Sequence, residues 1–457
     1  MNPSDTIAAV ATPPGNGGLA VLRISGPAAF AVADACFHPG GANSPKPSSA
    51  PSHTVHYGHV LNGDTFVDEV LLSVFRRPRS FTGEDTVEIG CHGGSLVTRQ
   101  VLHAVLSAGA RHAEPGEFTR RAFLNGRLDL TQAEAVADLI HARTELAATA
   151  ANAQLAGHLA RQIDRLRDDL MGVLTHVEAH LDFPDEDIRP ETNRQLLDRL
   201  DHAEAFCGRL LRTAREGRLL RSGARAALVG LPNAGKSSLL NLLLGHDRAI
   251  VSPVAGTTRD TIEEAADIGG YPVVFVDTAG LRHAHDAIEA EGIRRSGEAA
   301  RLADLLLEVV DLSAPPPTTL PFDLEGIPPN KRLRVGNKCD LPRDPGWDNA
   351  AETPVLRISC QTGEGIPELR EALRQQLLSG DESVESAGIA INARHQDALR
   401  RTTDAVARAR TALASQIALD LVALDLRIAV GAIGEIVGKT TTEDLLDRIF
   451  STFCLGK

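Results

Sequence analysis

Residues 230–237 read GLPNAGKS, and no other stretch of the chain constrains its fold so strongly. A strand-like ARAALV run precedes the segment and an apolar KSSLLNLLL run follows it, so the glycines fall at a strand-to-helix turn. Such a loop folds tightly enough that successive backbone N–H groups and the positive end of the new helix face one anion. Lys236 adds a mobile charge and Ser237 a hydroxyl able to ligate Mg²⁺. The chain is therefore expected to bind a nucleoside triphosphate through Asn233, Ala234, Gly235, Lys236, Ser237 and Ser238.

Four further segments follow in the order that guanine-nucleotide hydrolases use: GTTRD at 256–260, the strand-like YPVVFV running into DTAG at 277–280, LRVGNKCD at 333–340 and RISCQTG at 357–363. Asp277, at the end of a buried strand, is suited to hold Mg²⁺ through water, and Gly280 lets a backbone N–H approach a γ-phosphate. The expected nucleotide contacts extend over Ser252, Pro253, Val254, Ala255, Gly256, Thr257 and Thr258, and over Asp277, Thr278, Ala279 and Gly280. Asp340 is the base reader. Its carboxylate accepts two hydrogen bonds from the N1–H and N2–H₂ edge of guanine, and adenine would leave it unpaired. Asn337, Lys338, Ser359, Cys360 and Gln361 frame the base. Leu281 stands where Ras-like enzymes place the Gln that orients the attacking water, so hydrolysis must be organised by other residues. Asn233 offers an amide oxygen beside the phosphates, suited to a hard cation; its other reading is a residue that tolerates a left-handed turn.

Length allows about three domains. Residues 1–114 alternate short apolar runs with Gly- and Pro-rich turns, which predicts a compact α+β domain, and GANSPKPSSAPS at 41–52 is a loop by composition. Between Pro115 and Pro184 there is no proline, and apolar residues recur at helical spacing. A second helical pattern covers 192–216 and a third begins near Asn392, whereas the nucleotide motifs occupy about 222–378. A globular module is thus inserted into a helical one, giving domains over 1–118, 119–221, 222–378 and 379–457. The linker SGDESVESAG at 379–388 marks the return.

The net charge of −13, from 47 Lys and Arg against 60 Asp and Glu, argues against broad nonspecific nucleic-acid binding. Arg209, Arg212, Arg215, Arg218 and Arg221 recur every third residue and so spiral around a helix instead of lining one face, and Gly217 is expected to interrupt that helix. They read as solvated surface and as an approach to the inserted domain. Six cysteines form no CxxC pair, so neither a zinc site nor a disulfide framework is indicated. No basic-then-apolar leader precedes Arg23 and no run approaches a membrane span, which predicts a cytoplasmic protein without membrane attachment.

Taken together, ATPPGNGGLAVLRISG, FTGEDTVEIGCHGG, PGEFTRRAFLNGRLDLTQAEAVADLI, GLPNAGKSSLLN, AGTTRD, DTAGLR and the C-terminal FCLGK closely resemble the tRNA-modification GTPases of the MnmE (TrmE) family over essentially the whole chain. The resemblance implies a multidomain α/β fold: an N-terminal α+β folate-binding domain that dimerises, a discontinuous α-helical domain and an inserted Ras-like P-loop GTPase domain. It also implies a GTP hydrolase that needs K⁺ and Mg²⁺ and works as a homodimer with the flavoprotein MnmG, which would carry FAD. Their joint product would be a carboxymethylaminomethyluridine-type group at carbon 5 of the wobble uridine of certain tRNAs, with carbon from 5,10-methylenetetrahydrofolate or a formyl analogue.

Residue by residue, the resemblance gives K⁺ to Asn233, Ser252, Val254 and Thr257, and Mg²⁺ to Ser237 and Thr258. Glu289 becomes the water-orienting carboxylate, catalytic together with Lys236 and Asn233. The folate contacts fall on Arg23, Glu88, Arg127 and Lys457, with Cys454 a possible thiol nearby; Arg127 stands where some members have Lys, which keeps the charge but alters the contact geometry. Two other readings share the nucleotide motifs. A ribosome-assembly or other regulatory GTPase would carry an RNA-binding module in place of the first domain and no CLGK end; a GTP-controlled scaffold would leave the chemistry wholly to its partner.

Overall fold

The computed structural model describes residues 5–41, 43–182, 193–246, 265–276, 303–317, 327–348, 355–378, 390–415 and 419–456. Within TFVDEVLLSVF, Val70, Leu72 and Val74 are buried while Glu69 and Leu71 are exposed, the period-two pattern of a strand with one face in a core. This strand is the fifth of seven: β1 (Ile7–Val10), β2 (Ala20–Ser25), β3 (Phe37–Pro39), β4 (Thr54–Asn62), β5 (Thr65–Phe75), β6 (Thr86–Cys91) and β7 (Arg111–His112), in spatial order β3-β4-β5-β6-β2-β1-β7. Helices Ala29–Cys36 and Ser95–Ser107 lay Val32, Ala33, Val101 and Val105 against Leu22, Ile24, Leu72 and Ile89 on one face. On the other face Val55, Tyr57 and Leu71 stay exposed, Tyr57 directly opposite Leu71. At the β1 end of the sheet, helix Glu117–Leu124 packs Phe118 on Ile7 and Ala9.

Asp129 opens helix Leu130–His141 with a capping box completed by Gln132. The larger helical core is assembled from four helices: His158–Asp182, Asn193–Arg212, Ala393–Ala414 and Leu419–Val437. Ile163, Leu170, Leu200, Cys207, Leu399, Val406, Leu426 and Ile433 share one buried cluster. Two of these helices precede the inserted module and two follow it, so each half buries its apolar stripe against the other. Helix Glu443–Phe450 then returns to the first domain, where Asp447 pairs with Arg120, and Phe450 and Phe453 pack on Leu130.

The inserted module is built on β8 (Ala224–Val229), β9 (Ala265–Ile268), β10 (Tyr271–Val276), β11 (Leu305–Asp311), β12 (Arg332–Asn337) and β13 (Val355–Arg357). The spatial order is β13-β12-β11-β8-β10-β9, with every neighbouring pair parallel except β9 with β10. This is the Ras-like arrangement. The chain leaves β8 towards one side of the sheet and β11 lies on the other, so the loop after β8 sits at the topological switch point where such sheets bind ligands. The module's apolar core is continuous with Ala147, Ala150, Leu219 and Leu220 of the helical part. Two hydrogen bonds fix the β9–β10 hairpin to that part: Thr144 Oγ1 donates to Gly270 O at 2.7 Å and Tyr271 Oη to Glu216 at 2.8 Å.

Charges secure the points where the chain leaves for the module and returns. Arg221, in the last turn of helix Ala214–Ser222, donates to Asp138 at 2.7 Å and to the carbonyl of Ala390 at 3.0 Å. Arg394 forks onto Glu134 through two bonds of 2.9 Å, and the fully buried His395 lies 2.8 Å from the same carboxylate. Burial works against the Glu134 charge, but His395 and Arg394 outweigh it and hold the carboxyl well below its usual range. Burial in turn pushes the His395 imidazole down to about 4, overriding the pull of Glu134.

The arginine spiral has the second of its expected roles at two positions, since Arg218 pairs with Asp304 and Arg221 with Asp138. The expected break at Gly217 is corrected. The helix runs unbroken from Ala214 to Ser222, and the interruption falls at Thr213. Gly217 is there for close packing: a Cβ on it would lie 2.5 Å from the carbonyl oxygen of Ile391.

His395 is neutral when folded at pH 7 and its folded pKa lies below the ordinary value of 6.5, so the unfolded chain takes up the proton first as pH falls. Stability from this site is present above pH 6.5 and is lost as pH drops from 6.5 towards 4. Urea unfolding should show the midpoint falling across that window in the wild type and falling less in His395→Asn; parallel curves would contradict the assignment.

Candidate functional site

The phosphate loop is shaped by three residues with positive φ: Gly230 at 150°, Asn233 at 63° and Gly235 at 97°. A Cβ at Gly230 would lie 2.2 Å from Val309 O, and one at Gly235 would lie 2.1 Å from Asn337 Nδ2, so both positions admit only glycine. Lys236 opens helix Lys236–His246, and its ammonium donates to the carbonyls of Gly230 at 2.8 Å and Leu231 at 2.9 Å. The amine is thereby held inside the loop. Ala234 is buried, whereas Asn233, Ser237 and Ser238 face solvent. The amide of Asn233 makes no hydrogen bond to another described residue.

Asn337, buried at the end of β12, joins three segments distant in sequence. Its Nδ2 donates to Ala234 O at 2.9 Å, and its Oδ1 accepts from the N–H of Cys360 at 3.1 Å. The P-loop, the NKCD segment and the SCQTG segment are thus brought to one place. Ser359 is buried, and its hydroxyl accepts from the N–H groups of Gln361 at 3.2 Å and Thr362 at 3.1 Å, which sets the loop's curvature. Asp340 is exposed, and its charge, after burial, helps raise the thiol of Cys360. Ser252 to Thr258, Asp277 to Gly280, Glu289 and Lys457 lie outside the described residues.

A second polar site lies on the first sheet. Arg23 and Glu88 are directly opposite in the β2–β6 pairing and meet at 2.8 Å. The Arg23 guanidinium lies over the rings of Phe81 and Phe118, 5.0 and 5.6 Å from their centroids, and its buried Nη1 has no hydrogen-bond partner. Arg127 donates to Ser80 O at 3.2 Å, so both arginines border the Ser80–Phe81 stretch. The chain's C-terminal residues arrive at the same end of the sheet. Cys454 O accepts from the N–H of Gly116 at 3.4 Å, and a Cβ on Gly456 would lie 2.3 Å from Val10 O. Val10 follows Ala9, the β1 residue opposite Arg23. Cys454 itself is half-buried.

The model of the GTP-binding protein TrmE N-terminus matches residues 6–127, and that of the MnmE helical domain matches residues 130–454. The chain belongs to the MnmE family of tRNA-modification GTPases. The MnmE tRNA modification GTPase of Akkermansia muciniphila is 47% identical over 457 residues, covering 100% of both chains. That of Chloroflexus aurantiacus is 46% identical over 459 residues, covering 99% of this chain and 100% of its own. Among solved structures, the G domain of the T. maritima FeoB iron transporter aligns with 34% of this chain and 98% of its own at 25% identity and a TM-score of 0.23. The Ras-like assignment rests on the strand order and not on that likeness.

As an MnmE-family GTPase, the protein is a GTP hydrolase. No helix among its described residues is long and apolar enough to cross a membrane. Sequence reasoning missed Phe81 and Phe118, which shape the Arg23 site, and Thr144 and Tyr271, which anchor the β9–β10 hairpin. Phe81, Phe118 and Tyr271 lie inside the FTGEDTVEIGCHGG, PGEFTRRAFLNGRLDLTQAEAVADLI and YPVVFV segments, but each of the four gains its role from a contact distant in sequence.

Proposed function

We propose that this MnmE-family GTPase is K⁺-dependent and, with a flavoprotein partner of the MnmG type carrying FAD, modifies carbon 5 of the wobble uridine of certain tRNAs to carboxymethylaminomethyluridine-type products. The observation that carries the reading is the seating of Cys454 and Gly456 on the first sheet beside Arg23. A nucleotide-controlled scaffold needs a switch, but it does not need an under-bonded guanidinium, a carboxylate, a second arginine and a thiol-bearing tail gathered on a different sheet from the one that carries the phosphate loop.

That group of residues fits a reduced folate. Arg23 Nη1 awaits an acceptor, Glu88 can accept from an amino-pyrimidinone edge, and Arg127 with Lys457 can neutralise a glutamate tail. Tetrahydrofolate in its 5,10-methylene or formyl form would supply the one-carbon unit there. In the nucleotide site Lys236 and the loop amides hold phosphate, and Asp340 selects guanine. Ser237 with Thr258 is assigned to Mg²⁺, and Asn233 with Ser252, Val254 and Thr257 to K⁺, whose charge would offset that of the phosphates. The uncommitted amide of Asn233 supports the second assignment. Glu289 is assigned to orient water in place of the missing Gln. The exposed Val55, Tyr57 and Leu71 support a homodimer through the first domain.

If Asn233 ligates K⁺, GTP hydrolysis should run about 10² faster in K⁺ than in Na⁺ at equal ionic strength. Asn233→Ala should erase that difference while leaving most of the nucleotide affinity, and equal wild-type rates in the two salts would refute the cation assignment. Separately, deletion of residues 454–457 should abolish tRNA modification in a reconstitution with the flavoprotein while K⁺-stimulated hydrolysis stays nearly intact. Full modification by the truncated chain would make the tail a structural terminus only.

A further inference from the structure

Asp311 ends β11 directly opposite Asn337 in the parallel β11–β12 pairing, and the N–H of Leu312 donates to Asn337 O at 3.0 Å. The two strands therefore finish level with each other where the NKCD segment begins. Lys338 has a φ of 65°, a left-handed conformation that costs energy in a non-glycine residue. Its ammonium lies 2.5 Å from Asp311 Oδ2. The other carboxylate oxygen accepts from the N–H and hydroxyl of Ser313 at 2.9 and 2.6 Å. Burial opposes the Asp311 charge, but Lys338 and Ser313 outweigh it and keep the carboxyl below its ordinary range. The stretch is braced from behind: Trp347 Nε1 donates to Ala314 O at 2.8 Å, and Trp347 and Cys339 pack on Val310 and Leu312.

In sequence Lys338 stands between Asn337, whose amide is tied to the phosphate loop, and Asp340, which is assigned to the base. In a nucleotide the group joining phosphate to base is the sugar, so the Lys338 side chain borders its path. A lysine stem has four rotatable bonds and would sweep this space unless its end were anchored. We propose that Asp311, without facing the nucleotide, is a positioning residue for the GTPase: it anchors the Lys338 ammonium so that the methylene stem forms a fixed wall along the sugar. The proposal rests on the reading of Asn337 to Asp340 as the base-recognition loop. Because the wall meets neither the γ-phosphate nor the base edge, GTP and GDP should feel its loss equally.

The test is a double-mutant cycle on the full chain with fluorescent GTP and GDP. Asp311→Asn keeps an acceptor for Ser313 and removes the charge facing Lys338; it should raise both dissociation constants by about tenfold, the scale of a lost charge-assisted bond. The rate at saturating GTP and the discrimination against ATP should not change, and Asp311→Glu should recover most of the affinity. In a Lys338→Met background Asp311→Asn should weaken binding no further. Additive losses, or unchanged affinity in Asp311→Asn alone, would overturn the proposal. Unchanged affinity in Lys338→Met would overturn it as well, whereas unchanged discrimination against ATP in Asp340→Ala would instead overturn the loop reading beneath it. Asp311→Ser repeats the measurement should Asn at this position disturb folding.

Discussion

The fork of Arg394 on Glu134 is the contact on which the architecture depends. Glu134 belongs to the helix laid down before the inserted module and Arg394 to the helix that begins after it, so one buried ion pair closes the helical domain across the whole insertion. Two charges in so dry a place cost several kcal/mol each to desolvate, and loss of one partner from such a pair typically costs about 3–5 kcal/mol. Hydrophobic surfaces alone would join the two halves without fixing their register. The bidentate geometry and the adjoining His395 allow one alignment.

The same guanidinium reaches further. Arg394 donates to the carbonyls of Glu435 at 2.6 Å and Ile436 at 3.0 Å, at the end of helix Leu419–Val437, where a cation satisfies orphan acceptors and opposes the helix dipole. Beyond that end, Gly438 is pressed against Phe123 and Leu130, and helix Glu443–Phe450 leads into the tail seated on the first sheet. On the other side, Arg221 holds Asp138 of the same helix as Glu134. Tyr271 and Thr144 bind the β9–β10 hairpin, which precedes the DTAG segment, to helical residues. Among the described residues, the nucleotide module and the tail are therefore joined through packed, hydrogen-bonded elements.

Much of the candidate nucleotide site was legible because its residues stand in short contiguous motifs at strand ends. The glycines at 230 and 235, Lys236 and the NKCD segment could be read directly, and the strand order then placed them at a switch point. The inserted organisation was also legible, from helical periodicity broken by a strand-rich interval. What escaped were contacts between residues far apart in sequence. The role of Gly217 is set by the backbone of Ile391, and that of Arg23 by Phe118 folding over it. His395, in the first turn of the helix capped by Asn392, is the fully buried partner of Glu134, a residue far away in sequence. No local pattern encodes such pairings.

The claim that ties both sites together is that GTP hydrolysis in this chain serves chemistry on tRNA at the wobble uridine. Its most direct test is nucleoside mass spectrometry of bulk tRNA from cells lacking the gene, with and without a plasmid copy. Loss of the carbon-5 aminomethyl-type nucleosides, restored by the plasmid, is the predicted result; an unchanged nucleoside profile in the deletion strain would contradict the account.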